Sequence, residues 1–226
     1  MINNFEQIET LLSFDDPDLF YHLQIIRRGK DHPNLVAANR TIKTYYIDNN
    51  EKLSKIKQEI IDLCEYFGAR AYINLAPKSY RKCTMQCISD MAIRAKDGDF
   101  KKIYKCWNTV VGYVKSDEPH WIVDIDILTN KGDSKPIYYG NGIISHIKNM
   151  DIENYIEYEC EPTNKLISTT DNIIIYKSKI YTHIPTKNGY HIITKPFNLK
   201  QFKDKYPDID VHKNNPTILY IPKSLD

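Results

Sequence analysis

No run among the 226 residues approaches the roughly 20 consecutive apolar residues that a membrane span requires. A spanning segment is therefore not expected. Charge of one sign is also scarce: 31 Lys and Arg against 29 Asp and Glu leave a net charge of +2. That balance excludes a general basic coat, so any contact with nucleic acid must come from local clusters. Neither an internal repeat nor a low-complexity linker interrupts the chain. The five cysteines are odd in number, and no secretory leader is read at the polar, acidic N-terminus. Free thiols in a reducing compartment follow, and the expected location is cytoplasmic. Cys83 and Cys87 share a helical spacing, but no second pair or nearby histidine completes a zinc site, so both read as buried structural residues.

Hydrophobic residues make up 42% and charged residues 27%, the proportions of an ordinary globular protein with a real core. Seventeen tyrosines are many; most are assigned to strands and surface, with base stacking the alternative. Two local clusters are candidates for phosphate contact. Arg27, Arg28 and Lys30 follow the apolar run Leu23–Ile26, and Lys78, Arg81 and Lys82 follow the run around Ile73.

Periodicity predicts a strand over Asp18–Arg28 and a short strand at Tyr45–Ile47. Residues Asn50–Phe67 repeat Leu53, Ile56, Ile60, Leu63 and Cys64 at helical spacing, with Gly68 at the C-cap position. A strand over Ala69–Leu75 follows. A helix over Ser79–Lys96 has Met85, Ile88, Met91 and Ile93 as its apolar positions. Cys106–Val114 is a strand or helix end. His120–Leu128 is a strong strand, with Trp121, Ile122, Val123, Ile125 and Ile127, and 141–158 is expected to be helical in part. Strands are expected within Asn172–His183 and over Gly189–Thr194, with a short helix over Asn198–Tyr206. Asp208–Lys213 and Thr217–Ile221 read as a hairpin through Asn214-Asn215-Pro216. The mixture of strands and helices predicts α+β or α/β around a central sheet.

Three segments carry chemistry. In Trp121-Ile122-Val123-Asp124-Ile125-Asp126, strand alternation puts Asp124 and Asp126 on one face, about 7 Å apart, and Val123, Ile125 and Ile127 on the other. Two neighbouring carboxylates repel unless a cation sits between them, and Mg²⁺ or Mn²⁺ prefers such oxygen ligands. An amphipathic strand with a wet acidic face is the bland alternative, but Asp is depleted in strands. The second segment, Pro185-Thr186-Lys187-Asn188-Gly189-Tyr190-His191, is a polar turn feeding a strand. Its turn amides, the Thr186 hydroxyl and the Lys187 ammonium suit an anion, and His191 can donate to a phosphate oxygen. The third, Pro207-Asp208-Ile209-Asp210-Val211-His212, supplies a carboxylate from Asp208 or Asp210.

In that order, Val123-Asp124-Ile125-Asp126, then Gly189-Tyr190-His191, then Ile209-Asp210 resemble the motifs of the archaeo-eukaryotic primase–polymerase superfamily. Pro185–Phe197 is also similar to a turn-strand-Pro segment of the polymerase domains attached to bacterial end-joining ligases. The matching residues span roughly 121–222, and Gly189 stands where the family usually has serine. The resemblance implies an α+β primase–polymerase fold. Residues 1–226 would be a single catalytic domain, in which an RRM-like palm with a mixed central sheet, residues 119–226, packs against an N-terminal αβ unit, residues 1–118. It implies a DNA primase or polymerase that adds nucleotides to a 3′-hydroxyl with two Mg²⁺ or Mn²⁺ ions. Asp124, Asp126 and Asp210 would be the catalytic metal ligands. His191, Thr186, Lys187, Gly189 and Lys195 would hold the nucleoside triphosphate. Arg27, Arg28, Lys30, Arg81 and Lys82 would contact a single-stranded DNA template. No zinc-binding module or helicase domain is read, so the expectation is a minimal core of phage or mobile-element type, in the host cytoplasm, with a separate helicase as partner. A metal-dependent nuclease, with His212 as base, and a non-catalytic RRM-like nucleic-acid-binding protein are the alternatives. A lysine-nucleophile ligase lacks its Lys-x-Asp-Gly signature here.

Overall fold

A computed structural model describes residues 1–32, 39–126, 152–153, 155–156, 168–170, 173–175 and 179–225. The chain forms two compact units. The first holds 1–119 together with 214–226, and the second holds 120–213.

The first unit is built on an antiparallel sheet. Its elements are β1 (Ile2–Asn3), α1 (Phe5–Glu9), β2 (Leu19–Arg27), β3 (Arg40–Ile47), α2 (Asn50–Phe67), β4 (Arg70–Ile73), β5 (Lys78–Ser79), α3 (Tyr80–Lys96) and α4 (Cys106–Tyr113). The last strand of the chain, β12 (Thr217–Ile221), also belongs here. The sheet order is β1-β12-β4-β2-β3, with β5 paired to the start of β2. Helix α2 starts where the Asn49 side chain accepts from the Lys52 amide at 2.7 Å. It ends at Gly68, which takes the left-handed conformation at φ 54°. A Cβ there would come within 2.8 Å of the His32 ring, so this turn needs glycine. Leu53, Ile60 and Cys64 are the buried stripe of α2, which packs on β2, β3, β4 and β12. Beyond α1 and α2, a second cluster joins Phe20 of β2 to Cys83 and Cys87 of α3 and Cys106, Val110 and Val111 of α4.

The second unit contains β6 (Trp121–Asp126), β7 (Ser168–Thr170), β8 (Ile173–Ile175), β9 (Ile180–Pro185), β10 (Gly189–Thr194), α5 (Leu199–Lys205) and β11 (Asp210–Lys213). β7 and β8 pair with each other. The main sheet runs β11-β6-β10-β9, antiparallel throughout. Residues 152–153 and 155–156, between β6 and β9, are helical. Chain order is thus strand, helix, strand, strand, helix, strand, and spatial order is fourth, first, third, second: a split β-α-β arrangement with the β7–β8 pair in its first connection. One face of this sheet is the core. Trp121, Val123, Ile125 and Ile192 pack there with Ile152, Tyr155, Ile156, Phe197 and Phe202.

The α+β class holds, with four differences of detail. The two larger sheets pair only in antiparallel fashion among the described strands, not in a mixed way. β11 and β12 do not form a hairpin: β11 pairs with β6, and β12 with β4 and β1. All five residues of β12 are buried, and a strand apolar on both faces belongs inside a sheet rather than on an exposed hairpin. Asn214, at φ 60°, and the Asn74 amide, which donates to the Asn214 carbonyl at 3.0 Å, hold the crossing point. Of the strand or helix end expected over Cys106–Val114, Cys106–Tyr113 is helix α4 and Val114 is its extended cap. The apolar positions expected to bury α3 do not: Met85 is 65% and Ile88 58% exposed, while Cys83 and Cys87 face inward. Most of 141–158, and Ile127, lie outside the described residues. Among the described residues no helix is long and apolar enough to cross a membrane.

Candidate metal and nucleotide site

β6 is the central strand of the site. Alternation sends Val123 and Ile125 into the core and leaves Asp124 half-buried and Asp126 exposed on the opposite face. The strands on either side are in register with it. His191 of β10 lies directly across from Asp124 on one side, and Asp210 of β11 directly across from it on the other. Directly opposed residues of antiparallel strands share a face, with Cα atoms about 4.5–5.5 Å apart. Asp210, Asp124 and His191, from three separate motifs, therefore form one transverse row. Of the two aspartates in the third motif, Asp210 is the one in register; Asp208 precedes β11.

One row toward the β9–β10 turn, Asp126 faces Gly189. Glycine raises no side chain beside that carboxylate, so the face is open at this position. One row the other way, Ile122 and Ile193 are buried, and the charged strip ends. His212 of β11 faces Ile122 in that same row. It belongs to the polar face and completes a group of two carboxylates and two imidazoles around Asp124 and Asp210. The sequence named it only as the base of a nuclease; its place on this face comes from cross-strand register.

The electrostatics of the row are uneven. His191 Nε2 lies 3.5 Å from Asp124 Oδ1, and the histidine side chain is only 13% exposed. Burial lowers the His191 pKa, and His212 adds to that, outweighing the opposite pull of Asp124 and Asp126. A neutral imidazole beside a carboxylate can donate one hydrogen bond without contributing a charge. Asp126 has no hydrogen-bonded or ion-paired partner among the described residues. Asp210 is 76% exposed, with Lys203 Nζ 3.9 Å away. That lysine also donates to the carbonyls of Pro207 and Ile209, which fixes it on the segment leading into β11. Among the described residues no three acidic, histidine or cysteine side chains already converge to hold a metal ion. The donors are aligned on one face, and the chemistry of the set, hard carboxylate oxygens, fits Mg²⁺ or Mn²⁺.

The remaining expected residues separate into several places. In the β9–β10 turn the Thr186 amide donates to the Gly189 carbonyl at 2.9 Å, so it closes the hairpin. Thr186 can then reach an anion only through its hydroxyl, and Lys187 is exposed beside it. Lys195 does not join them. It follows the far end of β10, about 13 Å by strand rise from His191, and its Nζ lies 5.4 Å from the centre of the Tyr181 ring.

The two basic clusters belong to the first unit and sit at opposite ends of β2, about 26 Å apart by strand rise. They do not make one patch. Arg28 donates to the Tyr72 hydroxyl at 3.3 Å, Lys30 is exposed, and Arg27 is half-buried with its Nε unpartnered among the described residues. At the other end Lys82 pairs with Asp117, and the Arg81 amide donates to Asp18. Lys78 is no surface cation: it is 3% exposed and donates to the Val114 carbonyl. No protein-family model, curated protein or solved structure matches the chain.

Proposed function

We propose that the chain is a template-directed nucleotidyltransferase of the primase–polymerase type. The observation that carries this reading is the row Asp210–Asp124–His191, in register across three adjacent strands, with Asp126 beside it. The split β-α-β sheet around that row supports the same reading, since an RRM-like palm is what the motif resemblance implies.

Asp124 and Asp126 would hold two divalent ions, with Asp210 as third ligand. Such ions supply charge neutralisation on the transferring phosphoryl group and activation of a 3′-hydroxyl. The chain's own residues bind and orient. Neutral His191 donates a hydrogen bond to a phosphate oxygen of the incoming nucleotide. The Thr186 hydroxyl and Lys187 lie at the open end of the face, where the triphosphate tail would extend. Buried Ile122 and Ile193 bound the other end. Core packing on the far side of β6 fixes both carboxylates in place, so catalysis is positioning and electrostatics.

A metal-dependent nuclease would use the same carboxylates, and His212 on the same face favours that as the second reading. An RRM-like RNA-binding module is disfavoured by this sheet. Its Trp121 and Tyr190 pack on the core side, and the face where such modules display aromatics carries aspartates and histidines.

Primer extension with Mn²⁺ and nucleoside triphosphates tests the proposal. Asp124→Ala and Asp126→Ala should each lower incorporation by more than about 100-fold. Their melting temperatures should be unchanged or raised, because one of two repelling carboxylates is gone. A double alanine variant that extends at the wild-type rate overturns the reading. Cleavage of the primer by wild type without extension transfers it to the nuclease.

A further inference from the structure

Several cations that the sequence offers for phosphate contact are engaged in the fold. Lys82 pairs with Asp117, Arg28 donates to Tyr72, and Lys78 is buried. A further group is not. Residues 94–105 hold five cations and two acids, a net charge of +3, where the whole chain has +2. The segment runs from the end of α3 through a short 3₁₀ turn, Phe100–Lys105, into α4. Asp99 is held there by Lys102 at 2.8 Å and lies 3.8 Å from Arg94. Lys96, Lys101 and Lys105 are exposed, and none has an ion-paired partner among the described residues. Two rings project among these charges: Phe100 is 66% and Tyr104 77% exposed, while Ile103 is the half-buried residue of the turn. Side chains three apart eclipse in a 3₁₀ turn, so Lys101 and Tyr104 share a side. Lys105 Nζ lies 5.3 Å from the centre of the Tyr104 ring.

We propose that this turn is a binding surface for single-stranded nucleic acid, with a base stacked on Tyr104 and neighbouring phosphates on Lys96, Lys101 and Lys105. Charge and ring exposure together select that occupant. An acidic peptide satisfies the lysines but leaves two aromatic rings in water. A duplex satisfies the lysines too, but its bases are already stacked on one another and do not reach Tyr104. A single strand uses both features: its phosphates meet the cations, and each unpaired base has a face to lay on an exposed ring. An anionic membrane is a poorer fit, because Asp97 and Asp99 lie in the same segment and a six-residue turn offers no long amphipathic face to insert. Recognition of this kind tolerates any sequence and weakens with salt. The surface goes beyond the proposed chemistry and does not depend on it. Every residue it uses lies in the first unit, and neither metal nor nucleotide takes part.

Fluorescence anisotropy of a labelled oligothymidine with the full chain tests it. The titration is run in EDTA without nucleotide, so its outcome is independent of the metal site. Wild type should bind at low salt, and three phosphates at about 0.7 each give a slope of log affinity against log salt of about −2. Tyr104→Ala should weaken binding about 5- to 100-fold, and Tyr104→Phe, which keeps the ring, should bind as wild type does. Lys101→Ala combined with Lys105→Ala should flatten the slope to about −0.7. All three side chains are exposed, so melting temperatures should not change. Phosphatidylserine vesicles should bind wild type and Tyr104→Ala alike. Wild type that does not bind the oligothymidine, or a folded Tyr104→Ala that binds it as tightly as wild type, overturns the inference. So does an equal effect of Tyr104→Ala on duplex DNA, or vesicle binding that is lost with Tyr104→Ala, which would make the turn a membrane surface.

Discussion

The two sheets treat their carboxylates differently. In the first unit, Asp31 accepts two hydrogen bonds from Arg70, at 2.6 and 2.8 Å, and both side chains are below 10% exposed. Asp18 accepts from the Ser79 hydroxyl and the Arg81 amide at the start of α3, and these bonds lower its pKa. Asp48 accepts from Lys52 and Tyr80. Each of these acids has a structural partner that explains where it sits. In the second unit Asp124 and Asp126 share a strand face with no cationic side chain paired to Asp126 among the described residues, and the histidine opposite Asp124 is held toward its neutral form. A carboxylate that folding does not need is a candidate for chemistry.

The comparison can be broken from either side. The largest expected effect is on the structural side. Asp31→Ala leaves the Arg70 guanidinium buried and unpaired and should cost about 3–5 kcal/mol in a urea denaturation. At temperatures where the variant is still folded, nucleotide incorporation should persist. A loss of less than 1 kcal/mol would mean that buried pairing does not distinguish the two groups of acids.

A smaller effect, on the chemical side, should follow from His191→Ala. A hydrogen bond to a charged group is worth about 1.5–3 kcal/mol, so nucleotide affinity should fall on the order of 10- to 100-fold. Single-stranded DNA binding and metal binding should change little. A lower melting temperature with unchanged nucleotide affinity would make His191 structural and would move it to the first group.

Much of this was legible in the sequence, and the remainder was lost for physical reasons. Asn49, the apolar stripe and Gly68 bound helix α2 by local rules, and the structure gives the same limits, Asn50–Phe67. The alternation through Val123-Asp124-Ile125-Asp126 shows which residues share a face, because strand period alone decides that. Which strands neighbour one another is decided by tertiary pairing. Asp210 opposite Asp124, and His212 one row away, therefore emerge only from register. The turn Asn214-Asn215-Pro216 has the composition of a hairpin, but β12 is too thoroughly buried to pair with an exposed neighbour. In α3, periodicity identified the apolar residues without saying what would cover them. Cysteines, which also pack as small hydrophobes, took the buried side.

The central claim is that the row of Asp210, Asp124 and His191 assembles a metal and nucleotide site. Calorimetric titration with Mn²⁺ and a non-hydrolysable nucleoside triphosphate tests it most directly, using wild type and Asp124→Ala. Wild type should bind the triphosphate only when Mn²⁺ is present, and Asp124→Ala should show no metal-dependent binding while melting at or above the wild-type temperature. Equal metal-dependent affinity in the two proteins, or no triphosphate binding by wild type at all, would contradict the account.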